Sequence, residues 1–170
     1  MHNFYRLIVM LLMSTQVYAT TLIEAEIPNA QMVASGRLTV FLFDVYDASL
    51  YTANGKRQVV PPYALKLAYL RDIKGEKIAD QSTEEIRNQA QVDEVTLADW
   101  HSQMRNIFPN VKKGDNITGI YKSPNECVFY KNDSHIGQIN NKQFCAAFFN
   151  IWFGENTSQP SLRNQLIGQK

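Results

Sequence analysis

Few side chains in this 170-residue chain are placed to do chemistry, and an arginine and several tyrosines lead them. Arg37 opens the apolar stretch "RLTVFLFDVYDASLYT" (37–52). Its planar fork of donors suits the clamping of a carboxylate, or the polarising of a carbonyl, inside a hydrophobic cleft. Tyr46, Tyr51 and Tyr69 can supply hydroxyl donors to the same cleft. The plainer alternatives are a solvated arginine at a strand end and core tyrosines with satisfied hydroxyls.

Other reactive groups carry less. Glu84 with Glu85, and Asp93 with Glu94, are neighbouring acids, but at helix starts carboxylates serve the helix dipole. No G-x-S-x-G elbow, phosphate-binding glycine loop or H-E-x-x-H spacing occurs. His2, His101 and His135 are scattered, and Cys127 and Cys145 stand alone, so no metal site is expected. The two cysteines flank an expected hairpin; a disulfide and a pair of free thiols both remain compatible with their spacing. Asn116, Asn132 and Asn156 begin N-x-S/T triplets, a pattern too short to carry weight.

These groups must be held by secondary structure. In 37–52 apolar residues fall on both parities, Phe41, Phe43, Val45 and Tyr51 on one and Leu38, Val40, Leu42, Tyr46 and Leu50 on the other. That suggests one central strand covered on both faces, with Asp44 and Asp47 marking a bend or bulge. Residues 53–62 are turn chemistry, and "YALKLAYL" (63–70) alternates as the next strand. "STEE" (82–85) reads as a capping box opening a short polar helix to about Gln91. "TLAD" (96–99) opens a second helix with the stripe Leu97, Trp100, Met104 and Phe108, ended by Pro109. Three short strands follow at 116–122, 127–131 and 135–140, the last two joined by Asn132, Asp133 and Ser134. Asn140 or Asn141 then caps a helix from Lys142 to Phe153, and Pro160 starts a closing helix. The element order implies an α+β fold, an antiparallel sheet with helices mainly on one face.

The first 19 residues have the form of a signal peptide: Arg6, the apolar run 7–13, then Val17 and Ala19 before a cleavage point. The run is far short of the roughly 20 residues that span a bilayer, so no integral membrane segment is expected after cleavage. Residues 20–170 then form one domain of an exported protein. Removing 1–19 takes away Arg6 alone, leaving 16 basic against 16 acidic residues. That balance argues against nucleic acid, or an anionic membrane surface, as the main partner.

The chain resembles the chalcone isomerase-like family, in particular its short exported bacterial branch. The resemblance rests on "SGRLTVFLFDVYDASLY" (35–51), "LKLAYLRDIKGE" (65–76), "WHSQMRNIFPNVKKGDNITGIY" (100–121) and "FYKNDSHIGQINNKQFCAAFFNIWFGENTSQPSLRNQLIG" (129–168). It implies an open-faced β-sandwich with a cleft between sheet and helices, no cofactor, and the bacterial periplasm as location. Plant members close a chalcone to a flavanone, and other members hold fatty acids through an arginine and a tyrosine. The enzymes' arginine falls on Arg37, whereas the place of their threonine is taken by Tyr46; their remaining tyrosine and asparagine have no matching position. Nine residues apart, Arg37 and Tyr46 would face opposite sides of a regular strand, and a bulge would be needed to bring both to one cleft.

Three readings follow. The first is a binding protein for a small apolar or amphipathic ligand, with Arg37, Tyr46 and Tyr69 as polar contacts and Phe41, Phe43 and Leu65 over an apolar tail. The second is a module that docks a protein partner. The third is a cofactor-independent isomerase or lyase acting on an enone, with Arg37 stabilising the oxyanion.

Overall fold

The computed structural model describes residues 21–168; the expected signal peptide, 1–19, lies outside the described residues. In chain order the elements are α1 (Leu22–Glu26), β1 (Gln31–Val40), β2 (Phe43–Thr52), β3 (Tyr63–Tyr69), α2 (Gly75–Gln89), α3 (Glu94–Ile107), β4 (Asn116–Ser123), β5 (Glu126–Lys131), β6 (Ser134–Ile139), α4 (Lys142–Phe153) and α5 (Pro160–Ile167). The six strands make one antiparallel meander in sequence order. The α2–α3 pair is inserted between β3 and β4, and α4 and α5 return over the same face.

The stretch read as one long central strand is a hairpin. Its two-residue turn is Phe41–Leu42, both at positive φ (47° and 73°), and Val40 pairs with Phe43 across it. Such a turn ordinarily asks for Asn or Gly, so its apolar residues hid it in a run of alternating hydrophobics. Arg37 sits opposite Asp47 and Leu38 opposite Tyr46, after which Thr39 pairs with Asp44. Val45 is therefore the extra residue of a bulge, next to the acids expected to mark one.

Two helices begin earlier than their sequence signals imply. α2 begins at Gly75, so Ser82 and Thr83 lie mid-helix rather than at a cap, and Glu84 and Glu85 are not near its N-terminus. Thr83 is accommodated there because its hydroxyl donates back to the Ala79 carbonyl at 2.9 Å. α3 starts two residues before the expected Thr96, capped by Asp93, which accepts from the Val95 and Thr96 amides. The later elements follow their sequence signals closely. Asn141 caps α4 by accepting from the Phe144 amide, Gly154 ends it, and Pro160 occupies the first turn of α5.

Period-two alternation in the strands and an apolar stripe on each helix build the main core between sheet and helices. Leu50, Leu65, Phe129, Trp100, Met104, Phe144 and Phe149 are each no more than 2% exposed there. Phe148 of α4 is its hub, its ring 5.2–5.9 Å from those of Phe108, Phe129, Phe144, Phe149 and Trp152. Cys127 of β5 and Cys145 of α4 are joined by a disulfide between sheet and helix, Cα atoms 5.8 Å apart. Gly36 of β1 lets α5 settle on the sheet, because a Cβ there would press on Leu162 and Gln165 at 2.8–2.9 Å. On the opposite face the short α1, which no expectation covered, packs Ile23 and Ile27 on Ala64, Ile120, Val128 and Tyr130. Among the described residues no helix is long and apolar enough to cross a membrane.

Candidate ligand-binding cavity

A cavity of about 570 Å³ opens where the β1–β4 end of the sheet meets α2, α4 and the start of α5. Its apolar wall comes from Leu38, Leu67, Ile73, Ile78, Ile117 and Ile151. Strand residues reach it because Leu38, Tyr46, Leu67, Tyr69 and Ile117 share the helix-facing side of the pleat, each strand contributing alternate residues. The helical wall is Ile78, Ser82 and Glu85, spaced at helical intervals on α2.

Two tyrosines expected as polar contacts line this space. The Trp152 indole N–H donates to the Tyr46 hydroxyl at 2.9 Å, and the Tyr46 and Tyr69 rings meet edge to face at 5.9 Å. Burial, helped by the negative charge of Glu85, pushes the Tyr46 hydroxyl well above its ordinary value of 10, against a smaller opposing effect of the Trp152 bond. Burial does the same to Tyr69, with Tyr46 adding to it. Both hydroxyls are therefore held in the neutral form, that of Tyr46 as acceptor from Trp152. Glu85 accepts from Ser158 at 2.6 Å and Gln81 at 3.2 Å through one carboxylate oxygen. Its other oxygen is buried without a partner among the described residues.

Basic side chains edge the cavity. Arg71 and Lys74 line it and form no ion pair among the described residues, while Lys77 reaches Asp80 at 3.4 Å. The Arg71 guanidinium lies over the Phe43 ring, 5.5 Å from its centroid. Asp72, also lining, accepts from the Lys113 amide.

Arg37 is elsewhere. Its side chain projects from the sheet face opposite the helices and is bound in a fork to Asp47 at 2.6 and 2.9 Å and to Asp44 at 2.9 Å. Asp44 in turn accepts from the Thr39 hydroxyl at 2.7 Å. The bulge at Val45 turns Asp44 to the same side as Asp47, so it serves the ion pairs and does not carry Arg37 into the cleft. Phe41 and Phe43 do not cover the cavity either: they are 90% and 64% exposed at the hairpin tip. Tyr51 packs beside α1 on the far face, and Leu65 belongs to the closed core. What sequence reading missed was α2 as a wall. Ile78, Ala79 and Ile86 already carried its helical spacing, had the helix been started at Gly75.

The comparisons agree with this architecture. The chalcone isomerase-like family profile matches residues 24–168, and the chain belongs to that family. Among solved structures, an Arabidopsis thaliana fatty-acid binding protein is similar, with a TM-score of 0.63 at 10% identity, covering 83% of this chain and 88% of that one. At that identity the likeness is one of fold. No curated protein matches the sequence.

Proposed function

We propose that the chain is an exported, periplasmic single-domain protein, residues 20–170 after loss of 1–19, that binds a small amphipathic ligand between sheet and helices without transforming it. The observation that carries this is an apolar cavity of about 570 Å³ edged by Arg71 and Lys74, which form no ion pair among the described residues. Its size lies within the range of roughly 300–1,000 Å³ usual for ligand sites. Its chemistry is an aliphatic wall with cations at one edge and the tyrosine hydroxyls and Glu85 at the polar side. That suits an amphipathic acid such as a fatty acid, the ligand class named for the similar Arabidopsis protein, with its carboxylate at Arg71 and Lys74 and away from Glu85. Binding is favoured over catalysis because the arginine expected to stabilise an oxyanion is engaged by two carboxylates on the other face. Arg71 replaces it as the anchor for an acid group.

Native mass spectrometry of gently purified protein, followed by displacement of a fluorescent fatty acid, tests the reading. A bound lipid mass is expected, lost when Ile78→Trp fills the cavity and weakened by Arg71→Ala. A clean apo mass together with no uptake of the probe would sink it.

A further inference from the structure

Seven large apolar residues stand exposed among the described residues, and four of them are consecutive: Val40, Phe41, Leu42 and Phe43. Phe41 and Leu42 are 90% and 97% exposed and both occupy the left-handed region. That conformation is costly for bulky L-residues, and Asn-Gly would make the same turn with less strain and better solubility. A folding role does not explain their presence.

The tip is also braced and placed. Its stem is held by the Arg37 fork to Asp44 and Asp47 and by the Thr39–Asp44 bond. One cation meets two carboxylates there, so the attraction for anionic headgroups falls to Arg71, Lys74 and Lys77 beside the tip. Val40, at the base of the tip, lines the cavity together with Arg71, Lys74 and Lys77, and Phe43 contacts Arg71 directly. An apolar point beside basic side chains, at the mouth of a lipid-sized cavity, has the profile of an interfacial anchor.

We propose that the β1–β2 tip inserts Phe41 and Leu42 into a bilayer surface and so sets the cavity mouth against the lipid from which its ligand is drawn. The balanced charge of the whole chain is consistent with apolar insertion as the driver, anionic headgroups adding local attraction at Arg71, Lys74 and Lys77. The exchange of ligand rests on the binding reading above; the docking does not.

The test is co-sedimentation with phosphatidylcholine vesicles, with and without phosphatidylglycerol, for the wild type and for the double variant Phe41→Asn, Leu42→Gly. The wild type should partition onto both, more strongly onto the anionic vesicles, and the variant at least about tenfold less. The variant's thermal midpoint should be equal or higher, and its uptake of the fluorescent fatty acid in vesicle-free solution unchanged. Vesicle binding by a protein that takes up no fatty acid would uphold docking and remove the carrier reading alone. Absence of wild-type partition, or partition indifferent to the double variant, overturns the proposal. So does a variant that alters only self-association in sedimentation equilibrium.

Discussion

The indole N–H of Trp152 donates to the Tyr46 hydroxyl at 2.9 Å and so ties α4 to β2 along the cavity wall. Tyr46→Phe removes the acceptor and leaves that N–H facing an apolar wall. A loss of about 1–3 kcal/mol is expected in urea unfolding. A double-mutant cycle with Trp152→Phe should return a coupling of similar sign; additive effects would show the bond to be incidental.

Arg37 braces the hairpin stem and does not face the cavity. Arg37→Ala is therefore expected to change fatty-acid affinity by less than about twofold, whereas Arg71→Ala weakens it by about tenfold. Titration with the fluorescent probe separates the two, and the reverse order would place the anchor on the wrong face.

The Cys127–Cys145 bridge closes a chain segment with a sequence separation of 18, and both cysteines are 0% exposed. Loop-closure entropy gives the bond a worth of about 3 kcal/mol. Reductant should leave the folded protein oxidised for as long as it stays folded, then lower the urea midpoint once added to unfolded protein before refolding. Thiol labelling over time reads the first effect and refolding titration the second.

Stability should have acid and alkaline limits set by named pairs. Glu26 accepts from Lys122 at 2.8 Å and from Tyr130 at 2.7 Å, linking α1 to β4 and β5. These bonds hold its pKa below the ordinary 4.5 and raise that of Lys122 above 10.5. Asp115, bonded by Asn132, the Lys112 amide and Lys131, is held at about 2, against an ordinary 3.8. A depressed carboxylate contributes stability above its unfolded pKa and loses it as pH falls through its folded one. The raised lysine contributes below 10.5 and loses it as pH climbs through its folded value. Urea midpoints should be level between about pH 5 and pH 10 and fall outside that range. Glu26→Gln should flatten the first part of the acid slope, and Asp115→Asn the part towards pH 2.

The later half of the molecule was the most legible in its residues. Asn141, Gly154 and Pro160 each meet a local need, a free helix donor, a helix stop and an N–H that need not be made, so their signals do not depend on distant partners. Turn residues Asn132 and Asp133, both at positive φ, announced the β5–β6 hairpin for the same reason. The β1–β2 hairpin was hidden because Phe41 and Leu42 fill a turn against their own preference. The true start of α2 leaves no local signal, because its N-cap Lys74 makes no side-chain cap and the Gly75 amide is satisfied by Asn110, 35 residues away.

What the amino-acid sequence determined by itself was the pattern: strand and helix periods, the family, and a chain with tyrosines and aromatics enough to wall a cleft. Which polar groups face that cleft was decided only by the tertiary fold. Side chains alternate across a sheet, so one turn and one bulge settle the face each residue takes. By that register Tyr46 and Tyr69 line the cavity while Arg37, opposite Asp47, faces away from it. Arg71 and Lys74, unremarkable in the sequence, reach the cavity edge because β3 ends there and α2 begins.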